Sequence, residues 1–192
     1  MKKLLIPVVL GVLALGTIGS VNAAPIAAAD KSVEKPFSVK VGAHWSNKGQ
    51  ANDDQGVTAL SAGVDYAFAK SSAEAPYLPS VYADYAGGSH KGGHLNTYGA
   101  GVAAKIYAQT PSGATASGAS LYYGAGVGVY RLEDKNTYGG VITSKTSTSV
   151  GGKVLVGAEI SGNYFVEGNY TLLPKVNGAN PSGFGLQVGI RF

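Results

Sequence analysis

The stretch GFGLQVGIRF at 183–192 decides the fold. Its even-numbered positions are all apolar, from Phe184 through Leu186, Val188 and Ile190 to Phe192. This period of two is that of a β-strand with one apolar face. Terminal residues of soluble domains usually fray into water, whereas this strand keeps its apolar face up to an aromatic residue. The pattern therefore predicts a strand that is held in place along its whole length.

The same alternation occurs in seven earlier segments of similar length. Connectors rich in Gly, Asn, Ser and Pro separate them, and no stretch of helical period follows residue 24. We therefore expect an all-β protein of eight strands. The seven segments are FSVKVGAHWS, LSAGVDYAF, SVYADYA, YGAGVAAKIYA, LYYGAGVGVYR, VGGKVLVGAEI and YFVEGNYTLL.

The beginning of the chain has the features of an export signal. Lys2 and Lys3 precede a long apolar run, and the small-residue motif VNA ends at Ala23. We predict a cleaved signal peptide at 1–23, a flexible periplasmic lead-in at 24–36 and one barrel domain at 37–192. Removal of the two lysines leaves only a small positive charge, so nucleic acid is not an expected partner.

Composition excludes several kinds of site. Cysteine is absent, which rules out disulfides and thiolate ligands or nucleophiles. Only 14% of the residues are charged, while there are 29 glycines. Typical soluble domains are about one-quarter charged. The low fraction of charged residues favours a chain with much of its surface out of contact with water.

The two faces of the eight segments differ in chemistry. The apolar face carries no charge, whereas the other face is rich in glycine, which weakens an exposed strand but makes room inside a narrow barrel. That second face holds four basic and four acidic residues, a balance that an enclosed lumen requires. We expect them to form a lumen ion-pair network: Lys40, Asp65, Asp84, Lys105, Lys153, Glu159, Glu167 and Arg191.

Aromatic residues lie near both ends of the apolar face. Strands of about ten tilted residues with aromatic ends are typical of transmembrane β-barrels, whose closure leaves no unpaired edge in lipid. The sequence thus predicts an eight-stranded antiparallel transmembrane up-and-down β-barrel. One girdle would contain Phe37, Phe68, Tyr123, Tyr164 and Phe192, and the other Trp45, Tyr85, Tyr98, Tyr170 and Phe184.

The combination of an export signal, eight alternating segments and a terminal Phe192 resembles bacterial outer-membrane β-barrel proteins. The resemblance is to the small eight-stranded group, which includes the transmembrane domain of outer-membrane protein A and its short relatives. It implies location in the bacterial outer membrane, contact with its lipids and lipopolysaccharide, and recognition of the last strand by the barrel-assembly machinery. It also implies a monomer. No peptidoglycan-binding domain follows the barrel in this sequence.

The expected role is structural or surface-interacting and not enzymatic, with no cofactor. Four external connectors are predicted at 47–56, 87–95, 132–149 and 173–183, and the third is the expected place of any partner contact. The external partner itself is not identified by the sequence. A porin-like narrow pore for small solutes is an alternative, because the glycine-rich lumen could leave space. His90 and His94 lie in the second connector, and we expect surface histidines there and no metal site.

A second alternative comes from the stretch HWSNKG at 44–49. His44 and Ser46 share a strand face, as a base and a nucleophile must. The stretch resembles the H-x-S-N motif of lipid A deacylases, outer-membrane barrels that remove acyl chains from lipopolysaccharide. The resemblance implies His44 as base and Ser46 as nucleophile, with Asp53 or Asp54 orienting the histidine.

Overall fold

The computed structural model describes residues 35–48, 58–68, 77–90, 93–107, 120–138, 141–160, 163–175 and 180–192. The expected signal peptide, most of the lead-in, Asp53 and Asp54 lie outside these residues. The described chain forms eight strands: β1 Phe37–Lys48, β2 Thr58–Ala67, β3 Tyr77–His90, β4 Gly93–Tyr107, β5 Ser120–Tyr138, β6 Val141–Ile160, β7 Tyr164–Leu172 and β8 Asn180–Arg191.

Each strand pairs antiparallel with the next, and β8 pairs with β1, so the sheet closes into an eight-stranded barrel. The predicted fold class is therefore confirmed. No helix in the described ranges is long and apolar enough to span a membrane.

The last strand closes the barrel. Val41 lies opposite Val188 in the β1–β8 register, and Ala43 lies opposite Leu186. At its end the Phe192 amide donates a 2.8 Å hydrogen bond to the Phe37 carbonyl, and the two rings pack at 6.2 Å. The end of the barrel that holds these two residues is called the terminal end, and the opposite end the far end. Ring packing and strand pairing explain why the alternation continues to Phe192.

The two faces point as the alternation predicts. Along β1, Val41 is 52% exposed while its neighbour Lys40 is 1% exposed. The outer face is a continuous apolar surface, and the charged and glycine-rich face lines the lumen. Exposed large apolar side chains on most strands indicate that lipid, and not water, surrounds this wall.

Strands β3 to β6 extend furthest beyond their apolar segments. β3 begins at Tyr77, inside a predicted connector. β5 continues to Tyr138, and β6 begins at Val141. The predicted connectors 87–95 and 132–149 are therefore wrong, since all their described residues are strand. The connectors predicted at 47–56 and 173–183 are wrong at 47–48 and 180–183, which are also strand. Alternation is weak there because the outer face is polar beyond the apolar wall, although the inner face still buries Leu95 and Leu132. Residues 88–90, 93–97, 131–138 and 141–149 are called the raised sheet.

Candidate functional site

The middle of the lumen holds one charged cluster of three lysines and three carboxylates. Lys40 Nζ lies 2.8 Å from Glu167 Oε1 and 3.2 Å from Asp65 Oδ2. Lys105 Nζ contacts both of these acids, at 3.2 and 3.3 Å. Lys153 Nζ lies 2.7 Å from Asp84 Oδ2, and Lys40 Nζ is 3.8 Å from Asp84 Oδ1. The formal charges of the six groups sum to zero.

The other two predicted network residues form a separate pair. Arg191 contacts Glu159 near the terminal end, and the Tyr107 hydroxyl donates to the same carboxylate. All eight side chains lie on the lumen side: six form the cluster, and Arg191 and Glu159 pair near the terminal end. Because burial of an unpaired charge is costly, each charge in these two groups needs its partner in the lumen.

Large aromatic side chains fill the lumen on both sides of the cluster. Toward the terminal end, Tyr122 and Phe165 are each 1% exposed and pack with Leu155. Toward the far end, the Tyr82 and Tyr130 hydroxyls are hydrogen-bonded at 2.9 Å. The alternation places these rings on the lumen face together with its glycines, but it does not show how far the rings fill the lumen.

Luminal glycines lie opposite these rings and make room for them. Gly157 pairs with Tyr122 across β5 and β6, and Gly99 pairs with Tyr130 across β4 and β5. A Cβ atom at either glycine would collide with the ring of its partner. At Gly157 and Gly99 the rings of neighbouring strands therefore occupy the space that the missing side chain leaves.

We expect the purified barrel to conduct no ions. The charged cluster and the layer of Tyr122, Phe165 and Leu155 occupy the lumen. Reconstitution in planar bilayers should give no conductance steps above those of protein-free bilayers. Reproducible steps of one size would instead support the narrow-pore alternative.

The residues of the deacylase alternative lie inside the barrel. Trp45 points outward, so His44 and Ser46 on either side of it face the lumen, and Ser46 is 7% exposed. Lipid acyl chains contact the outer wall, so this placement does not suit a nucleophile that attacks a membrane lipid. Asp53 and Asp54, its possible third members, are not among the described residues.

The second predicted connector is a hairpin. Ser89 lies opposite His94 in the β3–β4 register, and Ser89 Oγ is 2.9 Å from His94 Nδ1. Within the described ranges, no group of three or more His, Asp or Glu side chains is arranged to hold a metal ion.

Aromatic side chains mark both rims of the outer wall. At the far end, Trp45 stacks on Phe184 at 5.9 Å, and Tyr85 packs on Tyr98 at 5.2 Å. At the terminal end, the exposed rings are those of Phe37, Phe68, Tyr123, Tyr164 and Phe192. Two further exposed tyrosines, Tyr66 and Tyr77, were not assigned to a girdle from the sequence.

The raised sheet is polar and has an open edge. β6 pairs with β7 only from Gly152 onward. Among the described residues, the part of β6 from Val141 to Gly151 therefore pairs only with β5. The side chains at 142–146 on β6 are exposed, with Ile142 at 73%, whereas Leu95 and Leu132 of the same sheet are buried. On β5, Arg131 and Glu133 form a 2.9 Å ion pair. This edge offers backbone hydrogen-bonding groups to another extended segment.

No family model matches the chain, and no curated protein matches it in sequence. Solved structures do match. Neisserial surface protein A superposes with a TM-score of 0.61 at 17% identity, over 81% of this chain and 94% of that chain. Ail, the attachment invasion locus protein of Yersinia pestis, solved in complex with the heparin analogue sucrose octasulfate, gives a TM-score of 0.52 at 15% identity, over 83% of this chain and 100% of that chain. The chain thus shares the fold of small outer-membrane barrels of eight strands.

Proposed function

We propose that this chain is a non-enzymatic integral protein of the bacterial outer membrane that presents the raised sheet as an interaction surface outside the cell. The observation that carries the proposal is the continuation of β3 to β6 beyond the far-end aromatic rim. A purely structural membrane barrel does not need an ordered polar sheet beyond its apolar wall.

The orientation follows from the position of the chain ends. Phe37 and Phe192 meet at the terminal end, where Lys35 also bonds Asn163. An exported chain enters the outer membrane from the periplasm, so this end is assigned to the periplasm and the raised sheet to the outside. A cleaved signal at 1–23 and engagement of the assembly machinery by β8 and Phe192 belong to the same proposal.

The surroundings of the barrel follow from its surface. The apolar wall between the aromatic rims suits lipid and lipopolysaccharide acyl chains. Pairing of β8 with β1 closes the sheet, so no strand edge within the wall calls for a second copy, and the proposed state is a monomer.

The open edge of β6 suggests the kind of partner. An extended segment can add to an exposed sheet edge through main-chain hydrogen bonds. Along Thr143–Ser149 the edge is rich in Ser and Thr, with Lys145 as its only charge. The names of the two similar structures, a surface protein and an attachment invasion protein, accord with a surface role.

Cysteine labelling on intact cells tests the orientation. The chain has no native cysteine, so Thr146→Cys in the raised sheet and Asn163→Cys at the terminal end each give one thiol. We expect a membrane-impermeant maleimide to label Thr146→Cys on intact cells, and Asn163→Cys only after the outer membrane is broken. The reverse pattern, or labelling of both variants only after lysis, would contradict the proposal.

A further inference from the structure

The apolar wall of β5 ends in a positive charge. On the outer faces of the eight strands, the described residues between the two aromatic rims include no charged side chain. Arg131 follows Val127 and Val129 on the outer face of β5, just beyond this wall. Its side chain is 60% exposed. An exposed guanidinium therefore lies where the surface that contacts lipid stops.

Strand pairing places Arg131 beside the far-end aromatic rim. Arg131 lies opposite Tyr98 in the β4–β5 register, and the Tyr98 ring packs on Tyr85 at 5.2 Å. On its other side Arg131 lies opposite Thr148 of β6. Side chains of directly paired residues are about 5 Å apart, and the aromatic rims of a membrane barrel lie at the level of the lipid headgroups. Arg131 is therefore within reach of those headgroups.

An ion pair with Glu133 holds Arg131 and leaves it able to bind a second anion. Arg131 Nη2 lies 2.9 Å from Glu133 Oε1. An arginine side chain has five N–H donors in a rigid plane, so this contact orients the guanidinium without using all of its donors. Two parallel N–H donors of a guanidinium match the oxygens of a phosphate group.

The surface around Arg131 carries a net positive charge. Lys135 follows Glu133 on the outer face of β5, so the three formal charges on this face sum to plus one. Lys135 lies opposite His94 on β4 and Ser144 on β6. Beyond the rim, the described outer faces of β3 to β6 contain no acidic residue other than Glu133. This charge favours an anionic ligand over a neutral or cationic one.

We propose that Arg131 binds a phosphate group of the lipopolysaccharide molecules that surround the far end of the barrel. The headgroup of lipid A is a phosphorylated disaccharide, so its anions lie level with the aromatic rim while its acyl chains cover the wall below. The site is continuous with this wall, which favours a membrane lipid over a soluble anion. The inference rests on the proposed function, since it requires that the raised sheet lies outside the outer membrane.

Native mass spectrometry of the purified barrel in detergent micelles tests the lipid site. The probe is lipid A with two phosphates, and dephosphorylated lipid A with the same acyl chains is the comparison. We expect the phosphorylated form to bind with a dissociation constant about tenfold lower, the usual effect of a hydrogen bond to a charged group. Orientation in the cell does not affect this measurement. Failure of the proposed function would therefore appear in the cysteine labelling, and failure of the lipid site would appear here.

Variants identify the residue responsible. Arg131→Gln should weaken binding of phosphorylated lipid A about tenfold and leave binding of the dephosphorylated form unchanged. Arg131→Lys should lose less, because it keeps the charge but not the paired donors. Lys145→Gln is the matched control, since it removes one positive charge from the inner face of the same sheet, and it should leave binding unchanged. Glu133→Gln should not weaken binding, because it removes the one acid of this surface.

Three results would overturn the proposal. The first is equal binding of the phosphorylated and dephosphorylated lipids. The second is an equal loss of binding in Arg131→Gln and Lys145→Gln, which would show that the position of the charge does not matter. The third is binding of phosphatidylglycerol as tight as that of phosphorylated lipid A, since Arg131 would then accept any anionic headgroup.

Discussion

Lys40→Met is expected to lower the free energy of unfolding by about 3–5 kcal/mol, the usual effect of removing one partner from a buried ion pair. Lys40 contacts Asp65 and Glu167, and Glu167 is completely buried. Without Lys40, three carboxylates would share two lysines in the closed lumen. The change can be measured by urea unfolding in lipid vesicles, with the fluorescence of Trp45, the single tryptophan of the chain.

Two further variants separate charge balance from a general effect of mutation. The double variant Lys40→Met/Glu167→Leu should recover more than half of the loss, because Asp65, Asp84, Lys105 and Lys153 still sum to zero. Lys145→Met on the exposed raised sheet should change the free energy of unfolding by less than about 0.5 kcal/mol. A Lys40→Met variant no less stable than Lys145→Met would show that the cluster is not needed for folding.

Gly157→Ala is expected to cost about 1–3 kcal/mol of unfolding free energy, as overpacking of a filled interior does. The new methyl group would meet the Tyr122 ring, which is 1% exposed and cannot move aside without displacing its own neighbours. Gly152→Ala on the outer face of the same strand is the matched control, since its nearest atom would be the Gly126 carbonyl oxygen at 3.5 Å. Its effect should stay within about 0.5 kcal/mol. The same urea experiment compares the two variants.

A second substitution checks the cause. Tyr122→Leu removes the ring, so adding Gly157→Ala to it should cost much less than adding Gly157→Ala to the natural chain. Equal costs in both backgrounds, or equal effects of Gly157→Ala and Gly152→Ala, would show that the glycine does not make room for the ring.

The sequence predicts the architecture well where each strand has one apolar and one enclosed face. From Phe184 to Phe192 every second residue contacts the lipid side, and the strand closes against β1 as its alternation indicates. The same rule fails along 132–138 and 141–149, because there the outer face lies beyond the apolar wall and polar residues suit it. These segments are rich in Ser, Thr and Lys and so have the composition of a loop, although they are strand.

The contents of the lumen are only partly predictable. Alternation places Lys40 and Glu167 inside, but they lie on β1 and β7, which are not paired strands. Which groups meet across the lumen depends on strand tilt and stagger, and a single sequence does not reveal these. For the same reason the cavity that Asp84 lines is not visible in the sequence, since residues of seven strands line it.

Spin-label accessibility tests the central claim most directly, namely that the apolar face contacts lipid and the glycine-rich face encloses the lumen. Single labels would be placed at Val127 and Val156 on the outer face and at Ala103 on the lumen face, in barrels reconstituted in lipid bilayers. The outer labels should collide readily with oxygen dissolved in the bilayer and only rarely with a water-soluble nickel chelate, and the label at Ala103 should be shielded from lipid-dissolved oxygen. Ready access of the nickel chelate to Val127 and Val156, with lipid exposure of Ala103, would contradict the account.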